Sequence, residues 1–373
     1  MAIVIDLGSG SCKAGFNVDE LPSQIFPSAI GSYRHVSKKE GVYVGRRAEA
    51  RMAKPVHLHY DRPIVNGCVE NWDGVEALVR HAFEVLDDVA PDEHAVCVTN
   101  FRNVESSGTS DEKMAEILFE TFHAPAVYMP PNSAVLVLYA LGKTEGLVME
   151  LGHGINVVTA LYEGCQIARA TSNVAGGEVT EFLAHLLNLK SHSFYTSHDL
   201  ESIRLLKELH AGVSANIQED ATLLANAENQ PVYTFPDTGK TIQLGDELFK
   251  CTEILFEPHG YGTFGHDMKG IHEMAIDCIR GQPTQEIHDV LSSNIVLTGG
   301  TSLLPGLKQR LEADVLPKVA AFSGTSVIAD ERRAHLAWRG AAMYASKDEF
   351  VNVCATKQDY DDEGAVCIRK KCK

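Results

Sequence analysis

Two segments of the chain repeat one layout: AIVIDLGSGSCKAGF at Ala2–Phe16 and GLVMELGHGINVV at Gly146–Val158. Each runs an apolar strand into a carboxylate, Asp6 or Glu150, then Leu-Gly-x-Gly, then a second apolar stretch. That order predicts a hairpin closed by a glycine turn, with an acid at its mouth. Glycine permits positive φ and lets backbone N–H groups approach a ligand closely. Either copy alone is also how an ordinary tight hairpin reads. Two copies facing each other across a cleft would grip a phosphate chain from both sides, and the pair points to a duplicated phosphate clamp.

A chain of 373 residues is long for one core and predicts two domains or one bilobal unit. Its 45% hydrophobic and 22% charged residues are those of a soluble globular protein. The longest apolar run, Ala134–Leu141, is far short of a membrane span, and the first residues enter a strand without the pattern of a secretory signal. Nine scattered cysteines with no CxxC pair suit a reducing compartment and not a structural zinc. A net charge of -17 argues against a general nucleic-acid surface. It leaves room for a nucleotide, whose phosphates can be held locally by backbone amides and one lysine.

Phe26–Gly45 reads as an exposed loop between short strands. Ser106–Phe122 reads as a helix with Ser110 as N-cap and Met114, Ile117, Leu118 and Phe122 on one face. The strand AVYM and a helix over Ser133–Leu141 follow. In the second half, Glu201–Asn216 reads as a helix with Ile203, Leu206 and either Leu209 or His210 inward. Pro231–Pro258 reads as a hairpin turning at Asp237-Thr238-Gly239, then a short helix, and Ser293–Val315 as strand, double-glycine turn, helix. Alternating strands and helices give an α/β class, and the repeat makes it two like-folded halves around a cleft.

Asp6 and Glu150 are candidates to hold a hydrated Mg²⁺ through waters, since magnesium takes few carboxylates. Ser9, Ser11 and the amides of Gly8 and Gly10 could donate to phosphate oxygens, with Lys13 as a point charge. Gly299-Gly300 would suit close approach of a base, a sugar or a phosphate at a helix start. Lys207 and Glu208 read either as a surface ion pair or as a ribose and base contact.

These residues resemble the actin family over essentially the whole chain. The match includes DLGSGSCKAGF, FPSAIG, VNGCVENWD, EKMAEILFETFHAPAVYM, VLYALGK, PDTGKTIQLGDELFKCTEILFEP, GIHEMAIDCI, VLTGGTSLLPGL and the tail TKQDYDDEGAVCIRKKCK. The tail is the most specific part, because sugar kinases and Hsp70-type chaperones share the clamp but not that ending. The resemblance implies the bilobal actin-like fold, with ATP or ADP and Mg²⁺ or Ca²⁺ in the cleft between lobes. It implies subdomain 1 over residues 1–31, 63–140 and 336–373, subdomain 2 over 32–62, subdomain 3 over 141–174 and 265–335, and subdomain 4 over 175–264. It implies a hinge at Ser133–Leu141 and near Ala337–Gly340. Asp6, Gly8, Ser9, Gly10 and Lys13 match the family's first clamp, and Gly152 and Gly154 its second. Gly176, Arg204, Lys207, Glu208, Gly299 and Gly300 fall where actins contact the adenosine, and Arg333 stands near a basic residue beside the adenine.

The departures from the family matter more. Glu150 and His153 stand where actins carry aspartates, and Leu151 replaces a serine that reaches the terminal phosphate. Ser133 replaces the glutamine that positions the attacking water, and Val157 the histidine that supports it. Water positioning is most of what such a site contributes to phosphoryl transfer, so hydrolysis is expected to be very slow or absent and the nucleotide weakly held or structural. The loop Ser32–Gly45 is shortened, with Lys38, Lys39 and Glu40 at its tip, and burying an unpaired lysine costs several kcal/mol. Arg339 and Lys347 stand where actins are aliphatic, in the cleft near Tyr139 that takes protein partners. The plug around Thr263, Phe264 and His266 is more polar, and Asn66 replaces a histidine that actins often methylate. The expected protein is a divergent actin-like structural subunit, cytoplasmic and cytoskeletal, in a cytoskeletal or axonemal assembly, without membrane or direct nucleic-acid contact. The alternatives are a polymerising, hydrolysing conventional actin and a nuclear chromatin-remodelling subunit; a small-molecule kinase ranks lower, for want of a cleft carboxylate as base.

Overall fold

The computed structural model describes residues 1–33, 42–52, 58–86, 89–99, 109–215, 230–259, 268–319 and 325–372. The loop tip Lys38, Lys39 and Glu40 and the plug residues Thr263, Phe264 and His266 lie outside them. The chain forms two compact units, residues 1–143 with 335–373, and residues 144–334.

The first unit is built on a six-stranded sheet in the order Ala355–Thr356, Ala126–Tyr128, Ala95–Thr99, Ala2–Leu7, Ser11–Phe16, Gln24–Pro27. Ala2–Leu7 is buried along its whole length. It runs parallel to Ala95–Thr99 and antiparallel to Ser11–Phe16, and strands covered on both faces read as continuous apolar runs. The wholly buried Trp338 donates its indole N–H to the Val4 carbonyl at 3.0 Å. Its ring lies so close to the hairpin that a Cβ on Gly15 would come within 2.8 Å of it. The helices Ser133–Ala140 and Leu336–Ala345 also touch closely, since a Cβ on Gly340 would fall 1.9 Å from the Leu136 carbonyl oxygen.

The second unit carries a four-stranded sheet in the order Cys165–Ser172, Asn156–Tyr162, Gly146–Leu151, Ile295–Thr298. Helices Gly176–Leu189, Ser197–His210 and Ile271–Arg280 pack apolar faces into its core. In Ile271–Arg280 the buried Ile271, Met274, Ala275, Cys278 and Ile279 keep helical spacing. The hairpin Val232–Thr234 with Thr241–Gln243 turns through Asp237-Thr238-Gly239, with Gly239 at φ +67, and leads to the helix Glu247–Glu253. Among the described residues no helix is long and apolar enough to cross a membrane.

Several expectations are corrected. The first-half helix is already formed at Thr109, so Ser110 lies inside its first turn and is not the cap. The first residues expected in this helix, Ser106–Gly108, lie outside the described residues. Its last turn widens into a π-turn at Ile117–Thr121, which keeps Ile117, Leu118 and Phe122 buried beside Met114. The helix read over Glu201–Asn216 instead spans Ser197–His210. A reciprocal cap starts it: the Thr196 hydroxyl accepts from the Asp199 N–H at 3.1 Å, and the Asp199 carboxylate from the Thr196 N–H at 2.8 Å. Ala211 turns extended and ends it. Leu209 and His210 face outward, and Lys207 takes the buried position next to Ile203 and Leu206. After Gly299 the chain makes a 3₁₀ turn over Gly300–Leu303, and the α-helix begins only at Leu307. The double glycine is therefore not an α-helix N-terminus.

Replacing Gly340 by Ala is expected to lower the unfolding free energy by about 1–3 kcal/mol, because the new methyl meets fixed backbone and not a flexible side chain. Urea melts of the two proteins check this, and equal midpoints would mean the two helices can move apart at no cost.

Candidate functional site

The two glycine hairpins are equal in register. Leu7 pairs with Cys12 and Asp6 with Lys13 in the first, and Leu151 with Asn156 and Glu150 with Val157 in the second. Each acid also has a parallel neighbour on its other side, Thr99 for Asp6 and Thr298 for Glu150. The repeat seen in the sequence is thus a repeat of three strands in each unit, with an acid at the same place. Glycine is needed at the mouth of the second turn, where a Cβ on Gly152 would lie 2.6 Å from the Ile155 carbonyl oxygen, and a Cβ on Gly8 in the first would crowd the Ser11 carbonyl oxygen at 3.0 Å.

In the first turn Asp6 is only 1% exposed. Its Oδ2 accepts from the Lys13 ammonium at 2.7 Å and its Oδ1 from the Thr99 hydroxyl at 2.9 Å. A carboxylate so deep must be paired and hydrogen-bonded to stay ionised. With both oxygens engaged, Asp6 suits a cation held through waters. Lys13, expected to face phosphates, has its ammonium on Asp6. Two residues that the sequence did not single out complete this end. Arg62 Nη1 donates to the carbonyls of Ser9 at 3.3 Å and Gly10 at 3.2 Å, and Gly10 also accepts from the Ser28 N–H at 3.1 Å. The wholly buried Ser28 hydroxyl has no hydrogen-bond partner among the described residues, a state costing about 1–3 kcal/mol unless a ligand or water meets it. His335 is the second. Burial pushes its pKa below the ordinary value, Lys13 pushes it the same way, and Asp6 opposes. Its Nδ1 is buried without a hydrogen-bond partner among the described residues.

In the second turn the carbonyls are also held. Gly152 accepts from the Gly176 N–H at 3.0 Å and the Thr301 hydroxyl at 2.7 Å, and His153 from the Gly177 N–H at 2.6 Å. This explains two of the expected contact glycines. A Cβ on Gly176 would fall 2.4 Å from Thr301 Oγ1, and Gly299, at φ +89, would put one 2.3 Å from the Leu151 carbonyl oxygen. Gly300 has open space beside it. Glu150 is half-buried, with Arg169 of the strand Cys165–Ser172, one strand beyond its hairpin partner, in its field.

Lys207 is not a surface partner of Glu208. It is buried and donates to the Gly176 carbonyl at 2.6 Å and to Thr180 Oγ1 at 2.8 Å. Glu208 instead pairs at 2.9 Å with Arg204, which also holds Glu201 at 2.6 Å. Arg333 donates to the carbonyls of Ser302 at 3.2 Å and Asp330 at 3.0 Å. Its own carbonyl accepts from Thr298 Oγ1 at 2.7 Å. Lys207, Gly176 and Arg333 are thus gathered at the edge of the second hairpin. Among the described residues no group of three or more His, Cys, Asp or Glu is placed to grip a metal directly.

A family model described as Actin matches residues 1–373. The chain belongs to the actin family. Its sheets and helices are the α/β fold of that family. Of the positions expected to depart from the family pattern, Ser133 opens the helix that Asn132 caps, the Asn132 side chain accepting from the Ala134 N–H at 2.8 Å. Val157 is buried in register with Glu150. Asn66, at φ +50, and Gly67, at φ +75, form the turn of the hairpin Ile64–Val65 with Cys68–Val69, where Asn-Gly is a favoured pair. Lys347 lies 4.7 Å from the centre of the Tyr139 ring, so two of the three expected partner-cleft residues meet; Arg339 is half-buried on the helix Leu336–Ala345.

Because His335 binds its proton less readily in the folded chain than its ordinary value near 6.5 implies, the unfolded state holds more protons below that value. Its contribution therefore lowers stability as pH falls through 6.5 and is neutral well above it. Relative to H335Q, the wild type should lose melting temperature between about pH 7.5 and 5.5. Melts at both pH values test this, and a pH-independent gap would show that the imidazole titrates alike in both states.

Proposed function

We propose that this actin-family chain binds ATP or ADP with a divalent cation through the phosphate turns of its two units, and that it acts mainly as a structural subunit. The observation that carries the reading is the pair of register-matched glycine turns, each beside a buried or half-buried acid and a threonine. Gly8, Ser9, Gly10, Ser11, Lys13, Gly152 and Gly154 would line the phosphates. Gly176, Arg204, Lys207, Glu208, Gly299, Gly300 and Arg333 would lie toward the nucleoside, and Asp6 and Glu150 would reach the cation through waters. Bound Mg²⁺ or Ca²⁺ would supply charge neutralisation along the phosphates.

Hydrolysis and self-assembly are impaired in this reading. Val157 offers no polar group to a water and Ser133 only a short one, so little aligns an attacking water for the terminal phosphate. The chain then uses a nucleotide-filled fold as a scaffold for other proteins, which meet it at the cleft near Tyr139, Arg339 and Lys347 in a cytoskeletal setting.

Acid extraction of the purified protein is expected to release ATP or ADP, and protein that releases neither would count against the reading. Single-turnover hydrolysis should be slower by at least about a hundredfold than in a conventional actin, the scale on which positioning groups act. An actin-like rate, together with material pelleting in Mg²⁺ and ATP at micromolar protein, would establish the polymerising ATPase instead.

A further inference from the structure

Arg62 reaches the first glycine turn from outside it. A single guanidinium nitrogen bridges two successive carbonyls, Ser9 at 3.3 Å and Gly10 at 3.2 Å. In a planar trans peptide the carbonyl and the following N–H point in opposite directions. Holding the carbonyls of Ser9 and Gly10 on the arginine side therefore sets the amides of Gly10 and Ser11 toward the other side. Ser28 supports the same arrangement, its N–H meeting the Gly10 carbonyl at 3.1 Å.

The arginine is itself held on a rigid mount. It follows the strand Leu58–Asp61, which pairs with Ile30–Tyr33, and it precedes Pro63, which restricts its backbone to extended conformations. The side chain of Asp61 accepts from Asn71 Nδ2 at 3.2 Å. The Pro63 carbonyl accepts from the N–H groups of Glu70 at 2.9 Å and Asn71 at 3.3 Å. Pro63 packs so tightly that a Cβ on Gly74 would come within 2.7 Å of its ring. Both chain neighbours of Arg62 are thus anchored at the start of the helix Trp72–Glu84. A long side chain mounted this way loses little further freedom when it orders the turn. The second unit does the same work with different parts, since Gly176, Gly177 and Thr301 hold the carbonyls of Gly152 and His153.

We propose that Arg62 is a positioning residue for the first anion-binding turn, holding its carbonyls so that the Gly10 and Ser11 amides present to the phosphates of a bound nucleotide. The assignment rests on the nucleotide reading above and adds a residue outside the glycine motif. It acts through the turn and is not itself a phosphate ligand.

Two measurements on the full chain test it. Titration calorimetry in Mg²⁺ buffer with ATP, ADP and adenosine should show R62A weakening ATP and ADP by about tenfold, as loss of charge-assisted hydrogen bonds to the turn implies. Adenosine, which lacks phosphates, should bind as in the wild type. Without ligand, hydrogen exchange of the peptide covering residues 8–12 should quicken in R62A while the rest of the first unit keeps its protection. R62K, which keeps the charge but not the planar guanidinium, should fall between and guards against a misfolded R62A. Unchanged exchange in the turn, or equal weakening of all three ligands, overturns the assignment. A wild type that binds none of the three overturns the nucleotide reading instead, and the exchange result then decides by itself whether Arg62 orders the turn.

Discussion

A carboxylate buried at the end of a fully covered strand constrains the first unit more than any apolar contact. Two neighbouring strands each deliver Asp6 a partner in register, Lys13 from the antiparallel side and Thr99 from the parallel side. A slip of one residue in either pairing would turn the partner to the other face and leave the charge alone. The pair therefore fixes the strand order around Ala2–Leu7 as firmly as the core does. Apolar packing sets how deep the strand lies, and the ion pair sets which residues lie beside it.

The second hairpin keeps this geometry and changes its chemistry. Glu150 is half-buried, the lysine position is Val157, and Thr298 gives its hydroxyl to the Arg333 carbonyl instead of to the acid. Valine stands opposite on the paired strand, and Arg169 supplies charge from one strand further away. The two copies share a backbone solution and differ in the residues around each acid.

What could be read from residues alone follows from this division. The hairpins were legible because an apolar strand, an acid and a glycine turn are all local. The helix Ile271–Arg280 was not read from the residues, although its buried positions keep helical spacing. The helix Ser197–His210 was misplaced because its start is fixed by the Thr196–Asp199 cap and its inward face includes a lysine. Hydropathy assigns lysine to solvent, while its ammonium is satisfied by the carbonyl that opens the preceding helix. Gly299 was read as room for a ligand, and the resemblance placed Gly176 at the adenosine; a Cβ at either would also strike the second hairpin or its neighbour. Glycine spacing cannot separate these demands, because a site approached closely by backbone from within can also be approached from without. Arg62 and His335 gave no local signal: one is far in sequence from the turn it holds, and the other joins the Asp6–Lys13 pair from near the far end of the chain.

The turns themselves show why distant residues are required. A glycine turn short enough to present its amides has few internal hydrogen bonds to hold it, and glycine adds to the entropy lost on ordering it. Something outside the turn must grip the carbonyls, because the carbonyl side is the only one left once the amide side is reserved for an anion. In the first unit that grip is a cation and one strand-end amide, and in the second it is the amides at a helix start and a threonine hydroxyl.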